Sequence, residues 1–92
     1  MKNLFDIKGK VIVITGGCGI LGKNIANYLA EQGAKIVVLD RAAEIGKELE
    51  AELNQKSEAL FIVTDVLNKE VLEDNKKAIL ERFGTIDVLL NA

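Results

Sequence analysis

The segment Val11-Ile12-Val13-Ile14-Thr15-Gly16-Gly17-Cys18-Gly19-Ile20-Leu21-Gly22 decides the fold of this 92-residue chain. Four β-branched apolar residues lead into a turn that has four glycines within seven positions, and a helix-like apolar pattern follows at once. Glycine is needed where the backbone turns sharply and where the main chain approaches a phosphate. The unpaired N–H groups of a helix's first turn attract the same anion. The segment therefore predicts a dinucleotide-binding turn between a strand and a helix.

The turn supplies the first candidate cofactor contacts. Gly17, Gly19 and Gly22 match Gly-x-Gly-x-x-Gly, and Thr15 with three of the glycines also matches Thr-Gly-x-x-Gly-x-x-Gly. A glycine-rich turn without a ligand is the alternative. Cys18 is the only cysteine and the chain has no histidine, so a nucleophilic or redox role lacks a partner. We interpret Cys18 as a small loop filler. The candidate cofactor-binding residues of this segment are Gly16, Gly17, Gly19, Ile20, Leu21 and Gly22, with the four glycines around the pyrophosphate.

A carboxylate closes the next apolar run, Lys35-Ile36-Val37-Val38-Leu39-Asp40. An acid at this place accepts hydrogen bonds from both hydroxyls of an adenosine ribose and repels a 2′-phosphate. The glycine turn holds no basic residue between Gly16 and Gly22, which also favours NAD over NADP. Arg41 complicates the preference for NAD, because an arginine at this position can stack on adenine or hold the 2′-phosphate of NADP. The alternative role for Asp40 is an N-cap of the following helix.

Composition limits the class of protein. Ninety-two residues form one small domain, and 49% apolar with 28% charged residues is typical of a soluble globular protein. The net charge of −2 argues against a nucleic-acid surface. The longest uninterrupted apolar run, Val11 to Ile14, is too short to cross a membrane. We expect a cytoplasmic protein with neither nucleic-acid nor membrane partners.

The apolar pattern predicts the order βαβαβαβ with a parallel sheet covered on both faces. Right-handed crossovers give the strand order 3-2-1-4, with the nucleotide above the carboxyl ends of the first and fourth strands. The apolar side of the predicted first helix consists of Ile20, Leu21, Ile25, Tyr28 and Leu29. The predicted second helix spans Ala42–Asn54. Asn68 is the predicted N-cap of a third helix, which ends at Gly84. The predicted strands are Lys10–Thr15, Lys35–Asp40, Leu60–Thr64 and Ile86–Asn91.

These residues together resemble the short-chain dehydrogenase/reductase family, a Rossmann-type fold. The resemblance runs from the lead-in Asp6–Lys10 through Thr15-Gly16-Gly17 and Asp65-Val66 to Asn91-Ala92. It implies that Asp65 and Val66 bind the adenine edge, and that Asn91 begins the family's Asn-Asn-Ala-Gly motif, where Ala92 replaces the second Asn. Single-domain members usually carry glycine where this chain has Ile20. The turn is similar to that of sugar-acid and polyol oxidoreductases.

The resemblance also predicts what this chain lacks. The family's catalytic residues are a Ser, a Tyr-x-x-x-Lys pair and an Asn, whereas the only tyrosine, Tyr28, is followed four positions later by Gln32. We therefore expect residues 1–92 to be the N-terminal, NAD-binding part of a longer oxidoreductase, without turnover alone and with no catalytic or metal-binding residues assigned.

Two other functions stay open at this point. One is a noncatalytic NAD sensor or interaction module, and the other is a methyltransferase, which usually carries an acid where this chain has Thr15. We also expect the fourth strand to be an exposed edge through which the chain self-associates.

Overall fold

A computed structural model describes residues 6–92 as one four-stranded parallel sheet with three helices. The strand order β3-β2-β1-β4 confirms the predicted Rossmann-type topology. The strands are β1 (Val11–Thr15), β2 (Lys35–Asp40), β3 (Ala59–Val63) and β4 (Val88–Asn91), and the helices are α1 (Ile20–Glu31), α2 (Ala43–Asn54) and α3 (Lys69–Phe83).

The two central strands are apolar between their end residues because both of their faces are covered. Ile12, Ile14, Ile36 and Val38 point to the face that carries α1 and α2 and form the larger core with Leu49 and Leu53. The intervening residues Val11, Val13, Val37 and Leu39 point to the opposite face and pack with Ile79 of α3. Side chains that alternate between two buried faces explain why the polar residues of these strands stand only at strand ends, at Thr15, Lys35 and Asp40.

The predicted apolar side of α1 was largely wrong. The buried residues of this helix are Gly22, Ala26 and Ala30, at four-residue spacing. Ile20 is 84% exposed and Tyr28 62% exposed, while Ile25 and Leu29 are half-buried. Small residues let the helix backbone lie close to the sheet, and a pattern search weighted toward large side chains misses such a face. Tyr28 is therefore a surface residue.

The ends of the elements follow local chemistry. The Asn68 side chain accepts hydrogen bonds from Glu70 N–H and Val71 N–H, at 3.0 and 3.2 Å, which confirms it as the N-cap of α3. Gly84, with φ of +81°, ends that helix in the left-handed region. β4 begins two residues later than predicted, and the preceding Asp87 carboxylate accepts from Val11 N–H at 2.8 Å. Within residues 6–92 no helix is long and apolar enough to span a membrane.

The packing of α3 differs from that of the other two helices. Its buried residues are Asn75 and Ile79 alone. A groove of about 580 Å³ runs beneath it. The groove reaches the carboxyl ends of the strands, and its lining includes Val13, Thr15, Leu39, Val66, Leu72, Ile79, Leu89 and Asn91.

Candidate functional site

The glycine turn packs against its own helix more closely than any side chain would allow. Gly16 has φ of +71°, and a Cβ there would lie 2.9 Å from the Ala92 carbonyl oxygen. A Cβ on Gly22 would lie 2.7 Å from Gly17 Cα and 2.8 Å from the Gly16 carbonyl oxygen. Real Cβ contacts of this kind do not occur, so the turn keeps this shape only with glycine at both positions.

The turn opens into the N-terminus of α1, which begins at Ile20. Its N-cap is Gly19, no side chain caps the first turn, and no acidic residue lies in that turn. The N–H groups and the positive end of the helix dipole therefore face outward without side-chain neutralisation, as an anion site requires. A Cβ on Gly19 would meet nothing nearer than the Gly16 carbonyl oxygen at 3.8 Å, so the surface above this residue is clear.

Asp40 lies directly against the glycine turn. Its Oδ2 accepts a hydrogen bond from Cys18 N–H at 3.0 Å, and its Oδ1 accepts from Ala42 N–H at 3.1 Å. The alternative role as a helix N-cap was wrong, since Ala42 occupies that position and no side chain caps α2. No residue pattern predicts the contact with Cys18, which joins residues 22 positions apart. The carboxylate is thus oriented by two backbone donors beside the proposed phosphate turn, and Arg41 is exposed next to it.

Cys18 fills the interior of the turn. It is 6% exposed and belongs to the core beneath α1 and α2. Burial raises the pKa of its thiol, and the nearby Asp40 charge and a side-chain hydrogen bond with Asp40 raise it further. The thiol therefore stays protonated near neutral pH, which agrees with the role of a loop filler.

The end of β4 closes the site on one side. Thr15 Oγ1 donates to Asn91 Oδ1 at 2.6 Å, and Ala92 N–H donates to the Thr15 carbonyl at 2.9 Å. Both contacts hold Asn91 beside the first residue of the glycine turn. Asn91 and Thr15 also line the mouth of the groove beneath α3.

The end of β3 lies on the other side of the candidate site. Thr64 N–H donates to the Asp40 carbonyl at 2.9 Å, so the next residue, Asp65, lies at the same edge of the sheet as Asp40. Asp65 Oδ1 accepts from Leu67 N–H at 3.0 Å, which orients this exposed carboxylate. Val66 lines the groove together with Leu39 and Asn91. The structure thus brings the predicted residues of all four strand ends to one edge.

Two further features of residues 6–92 concern metal binding and proton transfer. No cluster of three His, Cys, Asp or Glu residues there could hold a metal ion. Tyr28 lies on the exposed side of α1, and Gln32 is the C-cap of that helix. The residues at the described edge are suited to binding an extended, anionic nucleotide: an oriented acid, a clear helix N-terminus and an apolar groove.

Comparison with known proteins identifies the family. The short chain dehydrogenase family model matches residues 10–92, and the chain belongs to this oxidoreductase family. An uncharacterized oxidoreductase, UxuB, of Bacillus subtilis (strain 168) is 39% identical over 87 residues, which cover 94% of this chain and 31% of that protein.

Solved structures give the same result. The structure of an NAD+-bound xylitol dehydrogenase has a TM-score of 0.87 and 36% identity, covering 90% of this chain and 32% of that one. A short chain dehydrogenase from Bacillus anthracis str. 'Ames Ancestor' has a TM-score of 0.87 and 36% identity over 94% of this chain and 35% of its own. The chain spans about a third of the length of the relatives it matches.

Proposed function

We propose that this chain is the NAD-binding portion of a short-chain dehydrogenase/reductase that transfers hydride between NAD and an alcohol or carbonyl substrate. The chemistry that NAD supplies is the acceptance and return of a hydride. The glycine turn and the first turn of α1 hold the pyrophosphate, with Ile20 and Leu21 at its rim. Asp40 accepts from the adenosine ribose, with Arg41 exposed beside it. Asp65 and Val66 receive the adenine, and Asn91 supports the turn from β4.

The position of the Asp40 carboxylate carries this proposal. Two backbone N–H groups fix it, one of them from the glycine turn itself, so the ribose acceptor and the phosphate turn are held at a constant separation. A fixed carboxylate favours two ribose hydroxyls and disfavours a 2′-phosphate. NAD is therefore the proposed cofactor, with NADP the weaker ligand.

The proposed substrate class is a sugar acid or polyol. Two observations support it: the Thr-Gly-Gly-x-Gly-x-Leu-Gly turn, and the likeness to an NAD+-bound xylitol dehydrogenase, an enzyme named for a polyol. The proposed location is the cytoplasm, where the NAD pool that such an enzyme uses is available.

Calorimetric titration with NAD and NADP tests the ribose assignment. Asp40→Ala removes charge-assisted hydrogen bonds, so NAD binding should weaken by about 1.5–3 kcal/mol. NADP should lose less, because the repulsion of its 2′-phosphate disappears at the same time. Asp40→Asn keeps an oxygen for Cys18 N–H but not the charge, and should show the same change in the ratio of the two affinities.

Glu52→Ala, which removes an exposed carboxylate from α2, is the matched control. Equal losses for NAD and NADP in both Asp40 variants, or an unchanged NAD affinity, would contradict the assignment.

Residues 1–92 alone should bind the dinucleotide without turning over a substrate. Within the described part, no tyrosine–lysine pair is positioned to move a proton, and Tyr28 lies on the outer side of α1. Purified chain, supplied with NAD and a panel of polyols and sugar acids, should give no increase in absorbance at the NADH wavelength. Sustained NADH formation by material free of any longer enzyme would refute this expectation and would also exclude a purely noncatalytic sensor.

A further inference from the structure

Thr64 and Asn75 form a buried polar pair on the α3 side of the sheet. They are 1% and 8% exposed, and they are the only buried polar or charged residues in the range 6–92. Asn75 Nδ2 donates to Thr64 Oγ1 at 2.8 Å, and the Thr64 hydroxyl donates to the Ile62 carbonyl at 3.1 Å. A valine and a leucine would fill similar volumes without any risk of an unpaired buried group. The polar pair differs from an apolar pair in being directional, because a hydrogen bond fixes the relative position of its two partners.

The pair lies next to the proposed adenosine site. Thr64 directly follows β3 and directly precedes Asp65, and its N–H donates to the Asp40 carbonyl. After Thr64 the chain makes a tight turn. In this turn the Asp65 side-chain Oδ1 accepts from Leu67 N–H and the Asp65 backbone carbonyl accepts from Asn68 N–H, both at 3.0 Å. Asn68 then caps α3. The turn that carries Asp65 and Val66 is therefore held between Thr64 at one end and α3 at the other.

The apolar contacts of α3 do not fix its position by themselves. Ile79 is its one buried apolar residue, Leu72 and Phe83 are only partly buried against the same core, and a groove of about 580 Å³ is lined by residues of both the helix and the sheet. Apolar burial is non-directional and tolerates small shifts. The Asn75–Thr64 hydrogen bond joins residues eleven positions apart, with the whole turn between them, so it sets the separation of α3 from the end of β3.

We propose that Asn75 is a positioning residue for the adenine side of the nucleotide site, acting through Thr64 on Asp65. This inference rests on the proposed function, in which the Asp65 carboxylate accepts a hydrogen bond from the adenine amino group. Asn75 itself is directed at Thr64 and not at the ligand.

The test compares NAD with nicotinamide hypoxanthine dinucleotide, in which a carbonyl oxygen replaces the adenine amino group. A well-placed Asp65 accepts from the amino group but meets the carbonyl oxygen as a second acceptor. The unmodified chain should therefore prefer NAD by about fivefold or more in calorimetric titration. Asn75→Leu and Thr64→Val should each reduce this preference to near one, whereas Thr64→Ser keeps the hydroxyl and should retain it.

Thermal unfolding of the same variants separates positioning from stability. Thr64→Val leaves the buried Asn75 amide without its partner and should lower the Tm, whereas Asn75→Leu leaves Thr64 its bond to the Ile62 carbonyl and should lower the Tm less. The double variant Thr64→Val/Asn75→Leu should recover the Tm lost in Thr64→Val, because the amide leaves together with the hydroxyl. The double variant should nevertheless keep the reduced base preference. Phe83→Leu is the matched control on the same helix, because Phe83 packs against the core on this face and does not line the groove. It should lower the Tm and leave the base preference unchanged.

The outcomes distinguish the inference from the function on which it rests. A base preference that recovers with the Tm in the double variant, or that stays unchanged in the folded single variants, would overturn the role of Asn75 while leaving NAD binding intact. If a single variant does not fold, the double variant decides the question. An unmodified chain that binds NAD without base preference would remove the role of Asp65 and this inference with it. An unmodified chain that does not bind NAD at all would overturn the proposed function itself.

Discussion

The glycines of the turn are required for two different physical reasons. At Gly22 any Cβ would collide with backbone atoms of Gly16 and Gly17, so the requirement comes from the fold. At Gly19 the backbone has φ of −73°, which any residue adopts, and a Cβ would meet no atom nearer than 3.8 Å. No contact within the described chain therefore demands glycine at position 19, and a ligand's close approach would supply the reason.

Gly19→Ala and Gly22→Ala should separate these two roles. Gly19→Ala should change the free energy of unfolding by less than about 1 kcal/mol, since only an N-cap preference is lost. It should weaken NAD binding at least about tenfold, since the new methyl group lies where the main chain approaches phosphate. Gly22→Ala should destabilise the fold by about 1–3 kcal/mol through overpacking. Urea unfolding and NAD titration measure both quantities. A Gly19→Ala chain with unchanged NAD affinity would show that the phosphate does not lie above this residue.

Residue-level prediction succeeded where one short segment carries the information. The glycine turn and the placement of Asp40 at the end of β2 follow from the local pattern of strand, turn and helix. The hydrogen bond from Cys18 to Asp40 and the Thr64–Asn75 pair were not predictable, because each depends on how separate elements are placed in space. No residue type or spacing in the sequence marks Asn75 as buried.

Helix ends were more predictable than helix faces. Asn68 was identified as a cap because an asparagine directly before a helical pattern accepts the first free N–H groups. The inner face of α1 was missed because Gly22, Ala26 and Ala30 contribute little to apolar periodicity, whereas the exposed Leu21 and Tyr28 contribute strongly. Strand bounds were right to within one or two residues, since the apolar runs end where backbone pairing ends.

Asn68→Ala should destabilise the chain by about 1 kcal/mol, because Glu70 N–H and Val71 N–H lose their acceptor. Asn68→Asp should retain the stability, since a carboxylate accepts the same bonds and is favourable at a helix N-terminus. Urea unfolding at neutral pH measures both variants. Equal destabilisation by alanine and aspartate would indicate that the side chain contributes through packing and not as a cap.

At the scale of the whole molecule, topology brings the candidate residues together. Parallel strands place their carboxyl ends at one edge, and the reversal of strand order between β1 and β4 opens the edge there. This arrangement follows from the right-handed crossover rule, which is why strand order could be predicted from element order alone. The groove beneath α3 could not be predicted, since its size depends on how far one helix stands from the sheet.

Strand β4 is an exposed edge of this sheet. Within the described chain β4 hydrogen-bonds to β1 alone, Leu89 is 59% exposed, and neither Lys nor Pro lies between Ile86 and Asn91. An unprotected apolar edge is a template for another strand, and the groove beside it adds apolar surface. The 92-residue chain should therefore self-associate through β4, with a weight-average mass in sedimentation that rises with concentration. Leu89→Lys should suppress the rise, whereas Val63→Lys on the opposite edge strand β3 should not. A strictly monomeric, compact species at high concentration, with β4 amides protected from hydrogen exchange, would show that this edge needs no partner.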